Sequence, residues 1–440
     1  MRQSSSQMHQ PSSRMQPSPA QVRQSSTIAR QNRKSRNRHI NALVAVFLLA
    51  LVFCGFLAIY PSINPSIASG GTIPTPLDTR FNAIALDLLS DTDVPPEYLI
   101  KRVAFAAVGD NLIHDSVYRS GRQADGSYNF DSLYAQVAPY IKEVDVAFLN
   151  QETICAGAEY GLSGYPTFNG PTEILDAVYN AGFTWINTAS NHSLDKWESG
   201  LLTHLNHIAS LPGLIQTGTN TSWEEANTPK VIEANGLRIG VTSYTYGLNG
   251  LVMPSGKEYL VNLTDTDRII ADYQRLKEVS DVQIVNMHWG WEYWHTANPE
   301  QQYLAQFLAD LGYSVVIGEH PHVVQPTTML TGANGNQTLV IYSLGNFMSA
   351  QDEIPRMLGE MMRWTLCYDP TKDEVFFEDI EIWPVVTHYN SGWAGYETYA
   401  LKDYTDEMAR YHSLRSYGLT RDYLVNLSLR VFGDEFKVVY

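Results

Sequence analysis

The chain has 440 residues, of which 44% are hydrophobic and 17% charged, a composition typical of globular proteins. It carries 30 Lys and Arg against 46 Asp and Glu, and eight of the basic residues precede residue 40, where no acidic residue occurs. The rest of the chain is therefore strongly acidic. This argues against non-specific nucleic-acid binding, which needs clustered cations to displace counterions, and is consistent with metal binding and with solubility at a cell surface.

The N-terminal 60 residues predict a membrane anchor. Residues 1–39 are rich in Ser, Gln, Arg and Pro, so we expect a disordered basic tail. Residues 40–60, INALVAVFLLALVFCGFLAIY, contain no charge and are long enough to form one transmembrane helix. Because cations directly precede this run, the positive-inside rule predicts a cytoplasmic N-terminus and an extracellular body. A cleaved signal peptide is the alternative, but its apolar core is usually only about 7–15 residues long.

The rest of the chain predicts a stalk or linker over the Pro- and Ser-containing residues 61–100, followed by a layered α/β domain over 101–355. In this domain, β-rich runs alternate with helical patterns, which is typical of α/β proteins. The predicted strands are 102–108, 144–149, 184–188, 238–244, 281–287, 314–317 and 338–343. The predicted helices are 132–142, 171–181, 196–208, 264–279 and 299–311.

Residues 356–440 predict an extension of the same domain. Two β-rich runs, 363–368 and 374–383, flank the turn-like sequence DPTKD and indicate a hairpin, and 403–427 indicates a mostly helical tail. Cys155 and Cys367 fit no zinc knuckle or disulfide framework. A bridge between these two cysteines stays open, but two isolated thiols are the simpler interpretation.

Five segments place possible metal ligands directly after predicted strands: FAAVGDNLIHD, VAFLNQETICAG, WINTASNHSLD, VNMHWGWEYWH and VVIGEHPHVVQP. A single histidine after a strand is more often a hydrogen-bonded or surface residue than a ligand. Five such segments at the same topological position are a stronger signal, because α/β folds place ligand crevices at the carboxyl ends of their strands. The carboxylate, amide and imidazole groups suit hard and borderline divalent ions. In the fifth segment, Pro321 restricts the backbone between His320 and His322 and favours a rigid placement of the two rings.

The order of motifs resembles the CapA-type family of bacterial capsule and poly-γ-glutamate synthesis proteins, which is similar to the calcineurin-like metallophosphoesterases. The motifs are G-D, N-x-E, N-H-x-x-D, H-W-G-x-E, G-x-H-P-H-V-x-Q-P and Y-S-L-G-N-F, between about residues 102 and 348. The resemblance implies a layered sandwich of two β-sheets flanked by helices. It also implies two divalent ions, Mn, Fe or Zn, at the strand ends.

The resemblance also implies a role for individual residues. The implied metal ligands are Asp110, Glu152, Asn191, His288, His320 and His322. His192 is implied to lie over the substrate and to stabilise or protonate the leaving oxygen, with Asp195 orienting its ring. Two departures leave the number of metals and the hydrolase chemistry open. Leu112 stands where ordinary metallophosphoesterases have the histidine of D-x-H, with His114 as an alternative ligand. Glu152 stands where the relatives usually have a bridging Asp.

Other residues near these motifs allow two interpretations each. Four aromatic residues around His288 favour either core packing or an aromatic wall for an extended polymer: Trp289, Trp291, Tyr293 and Trp294. Glu292 is a candidate partner that holds the His288 ring. Gly345, in YSLGNF, is expected at positive φ in a turn, with a supporting role at the site rim as the alternative.

Two functions fit the sequence. The first is a metal-dependent hydrolase that acts in capsule, poly-γ-glutamate or envelope polymer synthesis. The second is a non-catalytic, metal-dependent factor for polymer binding, export or attachment. The expected partners are an anionic surface polymer or envelope precursor, the membrane, and other membrane polymer-synthesis subunits, with no nucleic acid. The sequence contains no G-x-S-x-G, P-loop or G-x-G-x-x-G motif, so serine hydrolases and nucleotide-binding folds have no support.

Overall fold

A computed structural model describes residues 99–440. The predicted basic tail and transmembrane helix, and nearly all of the predicted stalk, lie outside these residues. Within residues 99–440, no helix is both long enough and apolar enough to cross a membrane. The described chain has the mixed α/β architecture with two sheets that the sequence predicts.

Helices separate most of the strands from Lys101 to Glu319, and the next strands follow one another without an intervening α-helix. In chain order, the strands are β1 (Lys101–Asn111), β2 (Val146–Asn150), β3 (Trp185–Asn187), β4 (Ile215–Thr217), β5 (Lys230–Ala234), β6 (Leu237–Thr245), β7 (Val282–His288), β8 (Val315–Glu319), β9 (Thr327–Thr331), β10 (Gln337–Ile341), β11 (Asn346–Met348), β12 (Leu358–Asp369), β13 (Glu374–Asn390), β14 (Ala394–Ala400) and β15 (Lys437–Val438). The α-helices are α1 (Asp115–Ser120), α2 (Asp131–Tyr134), α3 (Ala138–Ile141), α4 (Glu173–Ala181), α5 (Trp197–Ala209), α6 (Trp223–Asn227), α7 (Thr266–Val279), α8 (Pro299–Leu311), α9 (Asp406–Tyr411) and α10 (Arg421–Phe432).

The strands of the described region form two sheets. The first has the order β14-β13-β12-β1-β2-β3-β4, with β11 beside β1 and β15 beside β13. The second has the order β5-β6-β7-β8-β10-β9. Strands β1 to β4 are parallel, as are β6, β7, β8 and β10. Each sheet therefore collects the carboxyl ends of several strands at one edge.

The main hydrophobic core includes residues from both sheets. Val108 of β1 shares this core with Ile284 of β7 and Ile317 of β8. Side chains alternate between the faces of a strand, so Val285 and Val316 belong instead to a second cluster, on the other face of the second sheet. Helices α7 and α8 cover that face. Burial of both faces explains why these strands read as nearly continuous apolar runs.

All seven predicted strands are present, and α8 has the predicted bounds. Its ends carry clear local signals. Asn298 and Gln301 form a reciprocal capping box, Pro299 occupies the first turn, and Gly312 ends the helix at φ 112°.

The predicted helix 132–142 is wrong as one element. It is split into α2 and α3, and Pro139 lies in the first turn of α3. Proline has no amide hydrogen and is tolerated in the first turn of a helix but not in its interior, so a second helix begins there.

The C-terminal region extends the first sheet. The predicted hairpin is present as the longer strands β12 and β13, and β14 was not predicted. The predicted helical tail contains α9, a 3₁₀ turn at Ser413–Tyr417 and α10. Cys155 and Cys367 are both buried free thiols, as the simpler interpretation expects.

Candidate metal centre

The polar residues of the candidate site lie where parallel strands end. Asp110 on β1 is paired in register with Asn150 on β2, and His288 on β7 is paired with Glu319 on β8. The first pair belongs to one sheet and the second pair to the other. The HPH segment follows β8 directly, and its His322 contacts Asp110 across the two sheets. The strand-end position of the motifs is thus the reason that they meet.

The end of β1 packs tightly against the YSLGNF turn. A Cβ atom at Gly109 would lie 1.8 Å from the carbonyl oxygen of Gly345. Gly345 has φ 65°, as the sequence predicts, and its carbonyl accepts a hydrogen bond from the Asp110 amide. A side chain at position 109 would therefore move Asp110 away from the other candidate ligands.

Two groups of candidate ligands share Glu152. In the first ligand set, ligand atoms of Glu152, His288 and His320 lie within 4.8 Å of one another. Asn191 joins this set, because its Oδ1 lies 2.9 Å from Nε2 of His288. In the second ligand set, ligand atoms of Asp110, Glu152 and His322 lie within 4.8 Å of one another. All six predicted ligands therefore come together, with Glu152 common to the two sets.

Several polar atoms of the two sets are buried without a partner. Both carboxylate oxygens of Glu152 and Nδ1 of His320 make no hydrogen bond. Leaving a buried charge unpaired is costly, so such atoms are normally paired or bound to a metal. Carboxylate, amide and imidazole donors are the ligand types that hold Mn, Fe or Zn. The residues present therefore fit one or two divalent ions.

The two histidines of the first ligand set have lowered pKa values. Burial, followed by the charge of His320, lowers the pKa of His288 well below its usual value. Burial and the charge of His322 lower the pKa of His320 to about 3. Both imidazoles are consequently neutral at physiological pH, which is the form that binds metals.

The second ligand set contains a buried ion pair. Nδ1 of His322 lies 2.9 Å from Oδ2 of Asp110. Burial would lower the pKa of His322, but the Glu152 carboxylate and the hydrogen bond to Asp110 outweigh it and raise the pKa to about 9. Burial opposes ionisation of Asp110, yet the hydrogen bond and charge of His322 lower its pKa. Burial raises the pKa of Glu152 well above its usual value.

The HPH segment has an unusual backbone. His320 has φ 98° and His322 has φ 58°, values that cost residues other than glycine about 1–3 kcal/mol each. The segment is held by hydrogen bonds from the His320 amide to Oδ1 of Asp110 (3.3 Å) and from the Tyr293 amide to the Pro321 carbonyl (2.7 Å). These contacts fix both rings toward Glu152.

His192 has the geometry of an oriented proton donor. Its Nδ1 lies 2.7 Å from Oδ2 of Asp195, and the same oxygen accepts a hydrogen bond from the Phe168 amide at 2.6 Å. The Phe168 ring packs edge-on against the imidazole, with centroids 4.7 Å apart. Asp195 and Phe168 therefore fix the ring with Nδ1–H committed, which leaves Nε2 for a substrate.

Neither Leu112 nor His114 supplies the ligand that the histidine of a D-x-H motif would supply. Leu112 is 2% exposed and belongs to the apolar interior. Nδ1 of His114 lies 3.2 Å from the Ala350 amide, which can donate to it, and His114 is in none of the candidate ligand groups of the described residues. The second ligand set therefore has three donors from Asp110, Glu152 and His322.

The aromatic segment after His288 is divided between interior and surface. Trp289 is buried, and its Nε1 donates to the Tyr342 carbonyl, as core packing expects. Trp291 and Trp294 are 52% and 59% exposed. Glu292 is exposed and does not hold His288, because its carboxylate lies beside His320 and His322.

Three further residues support the site. Oδ1 of Asn346 lies 3.2 Å from Nδ1 of His322, so the YSLGNF segment has both the turn and the supporting role. Asn150 donates to Oδ1 of Asp110 at 2.7 Å, and its position at the end of β2 was the available signal. The Tyr246 ring lies 4.7 Å from the His320 ring, and no sequence motif points to it.

The fold and this geometry define a class, an α/β protein with two β-sheets and a candidate centre for divalent metal ions between their strand ends. Residues 104–351 match the family described as "Bacterial capsule synthesis protein PGA_cap", and the chain belongs to this family. This confirms the family resemblance given by the motifs.

Two characterised relatives carry names related to capsule synthesis. The chain is 24% identical over 263 residues to "Capsule biosynthesis protein CapA" of Bacillus anthracis, which covers 57% of this chain and 61% of that protein. It is 30% identical over 186 residues to "PGA biosynthesis protein CapA" of Bacillus subtilis (strain 168), which covers 41% of this chain and 46% of that protein. The match thus spans less than two thirds of either relative.

Solved structures with partial similarity include a phosphatase and a nucleotidase. A Mycoplasma pneumoniae phosphatase matches 65% of this chain and 94% of its own, at 13% identity and TM-score 0.38. A putative 5'-nucleotidase of Staphylococcus aureus matches 64% of this chain and 54% of its own, at 15% identity and TM-score 0.42.

Proposed function

We propose that the protein is a metal-dependent hydrolase, of the phosphoesterase type, that acts in the synthesis of capsule or poly-γ-glutamate polymers. The observation that carries this proposal is the buried carboxylate of Glu152, which makes no hydrogen bond and is shared by two ligand sets. His192 directly follows the candidate ligand Asn191 in the chain, and Asp195 orients its ring. Family membership and the names of the two relatives support a role in polymer synthesis.

The proposed chemistry assigns two roles: the ligand sets hold the metal ions, and His192 donates a proton. Divalent ions held by the two ligand sets would supply Lewis-acid polarisation of the scissile phosphoester. The neutral rings of His288 and His320 need not lose a proton before they bind an ion. Nε2 of His192 delivers a proton to the leaving oxygen, while Asp195 keeps Nδ1–H in place and stabilises the charged ring.

Replacement of His192 by Ala tests whether His192 donates a proton without holding the metal. In the full-length protein loaded with manganese, we expect turnover of a generic phosphodiester to fall by about 10²–10⁴-fold, the usual contribution of a positioned acid or base. Metal content should stay nearly unchanged, because His192 is outside both ligand sets. Loss of metal would contradict the assignment. His207→Ala is the matched control, since Nε2 of His207 also pairs with a carboxylate, Oδ1 of Asp176, at 2.9 Å.

A second candidate function is metal-dependent polymer binding, export or attachment without turnover. The observation that favours it is the exposed aromatic pair Trp291 and Trp294, whose rings lie 5.7 Å apart on the loop after His288. Exposed aromatic side chains near a site suit contact with an extended chain. Under this function, the wild type would bind polymer and metal but would not hydrolyse the phosphodiester, and His192→Ala would leave polymer affinity unchanged.

We also propose that the protein is a single-pass membrane protein with its body outside the cell, and that other membrane polymer-synthesis subunits are its partners. The support is the apolar run 40–60 and the cations before it. Protease added to intact protoplasts should degrade the body. Protection of the body, with cleavage only after lysis, would contradict this topology.

A further inference from the structure

Arg356 is a nearly buried cation beside the metal centre. Its side chain is 15% exposed, and its guanidinium carbon lies 3.6 Å from the centre of the Tyr293 ring. Its carboxylate partner, Glu353, is 2.9 Å away but 63% exposed, and Nε of Arg356 is buried without a hydrogen-bond partner. Because exposed ion pairs contribute little, a ligand carboxylate can join or displace Glu353 at small cost.

Arg356 is connected to the second ligand set by two routes. Its carbonyl oxygen accepts a hydrogen bond from Nδ2 of Asn346 at 3.1 Å, and Oδ1 of Asn346 lies 3.2 Å from Nδ1 of His322. The Tyr293 ring, on which Arg356 stacks, has its centroid 6.1 Å from that of His322. The guanidinium is therefore separated from a candidate ligand by a single aromatic ring.

A cleft of about 410 Å³ is lined by residues that are close in the chain to Arg356 and Tyr293, although neither of these two residues lines it. Pro355, which precedes Arg356, forms part of its wall, as do His295 and Thr296 from the segment that follows Tyr293. Helix α10 supplies Tyr423 and Arg430. None of the described residues that line this cleft is Asp or Glu, although the chain has 46 acidic residues and a formal charge of −16. Its charge is thus opposite to that of the protein as a whole.

We propose that Arg356, stacked on Tyr293, and Arg430 in the cleft form a subsite for a polycarboxylate chain that reaches the metal centre. The planar guanidinium group matches a carboxylate with two parallel hydrogen bonds. Arg430 lines the cleft, and Arg356 directly follows Pro355 of the cleft wall. A chain with a carboxylate on each residue, such as a γ-linked glutamate oligomer, has the complementary charge. The choice of this polymer rests on the proposed function, whereas the subsite rests on the contacts above.

Fluorescence anisotropy with a labelled γ-glutamate oligomer tests the subsite. The full-length protein in detergent is compared with Arg356→Gln and Arg430→Gln. The control is Arg415→Gln, which removes the same charge from an exposed position outside the cleft. We expect each of the first two variants to weaken binding by about tenfold, the loss typical of one charge-assisted hydrogen bond. Arg415→Gln should bind like the wild type, and Arg356→Lys should recover part of the loss.

Unchanged binding by Arg356→Gln and Arg430→Gln would overturn the proposal, as would a wild type that binds a glycerol-phosphate oligomer more tightly than the γ-glutamate oligomer. Arg430 is exposed, so Arg430→Gln keeps the test open if Arg356→Gln fails to fold. Metal content of the same samples is measured separately. A protein without metal that still shows the arginine effect would overturn the proposed hydrolase and leave the subsite standing.

Discussion

The buried histidines of the metal centre differ from His412, a buried histidine of the C-terminal region. His288 and His322 face carboxylates, and His288 also faces an amide oxygen. His412 is equally buried, but its partners are backbone groups. Its Nε2 donates to the Thr387 carbonyl at 3.1 Å, and its Nδ1 accepts from the Leu414 amide at 3.0 Å.

Burial alone does not distinguish the two regions. Burial lowers the pKa of His320 to about 3 and that of His412 to about 4, so both rings are neutral at pH 7. The partners make the difference. His412 has both nitrogens satisfied and completes a turn, whereas Nδ1 of His320 and the nearby carboxylate of Glu152 make no hydrogen bond. A buried histidine whose neighbours are carboxylates and other imidazoles is therefore the better candidate for a ligand.

His288→Ala should give the largest effect on the metal-centre side. We expect metal affinity to fall by about 10³-fold, because roughly 10–16 kcal/mol of binding free energy is shared by four ligands in comparable sites. Competition with a chromogenic chelator measures this loss. His412→Ala is the control and should bind metal like the wild type. Equal metal affinity in wild type and His288→Ala would remove the distinction between the two regions.

Protonation of His412 should make the free energy of unfolding depend on pH. Its pKa is about 4 in the folded protein and about 6.5 when unfolded, so the unfolded chain binds the proton first. The stability that depends on the neutral ring is present above pH 6.5 and is lost as the pH falls toward 4, to a total of about 3 kcal/mol. Urea unfolding at several pH values should show a shallower acid limb in His412→Gln. Identical acid limbs would mean that His412 does not titrate in this range.

His412→Ala should also destabilise the protein at pH 7. We expect a loss of about 2 kcal/mol, since the change leaves a small cavity and removes the partners of the Thr387 carbonyl and the Leu414 amide. The midpoint of urea unfolding measures it. The metal-free form of His288→Ala should lose less, because the ring nitrogens of His288 have no backbone partner in the described contacts. An equal loss in both variants would favour a structural role for His288.

The convergence of the candidate ligands was predictable from the sequence because parallel strands bring their carboxyl ends to one edge of a sheet. Asp110 and His288 each follow an apolar strand, and the carboxyl ends of such strands share an edge, so the motifs converge without any knowledge of distances. The helices with strong end signals, such as α8, were predicted for a similar local reason. The short strand β4 and the partly exposed strand β5 lack a sustained apolar run and were missed.

Contacts between distant segments were not predictable from local patterns. Phe168 and Asp195 meet around His192, and Arg356 stacks on Tyr293, only because loops from different strands pack together. Glu292 was placed at His288 from its position in one motif, but the turn of the chain puts it beside His320 and His322. Periodicity and spacing describe one segment at a time and contain no information on such packing.

Asn346→Ala should have the smallest effect on metal affinity. It tests whether the two ligand sets of the metal centre bind metal separately. The Asn346 side chain makes no hydrogen bond in the described contacts with a candidate ligand other than His322. Its Oδ1 lies 3.2 Å from Nδ1 of His322, and its Nδ2 donates to the His322 backbone carbonyl at 3.2 Å. Residues that orient a ligand typically change metal affinity by about 10–100-fold, and we expect the lower value because Asp110 also holds the ring.

The loss should be confined to the weaker of two binding steps, since the first ligand set does not include His322. Titration of the metal-free protein with manganese, followed by electron paramagnetic resonance, separates the two steps. Asn336→Ala is the matched control, because Nδ2 of Asn336 likewise donates to a backbone carbonyl, that of Ala309, at 3.0 Å. If Asn346→Ala weakened both steps equally, the two ligand sets would act as one unit through Glu152. If it lowered stability without changing either step, Asn346 would support the YSLGNF turn and would not position His322.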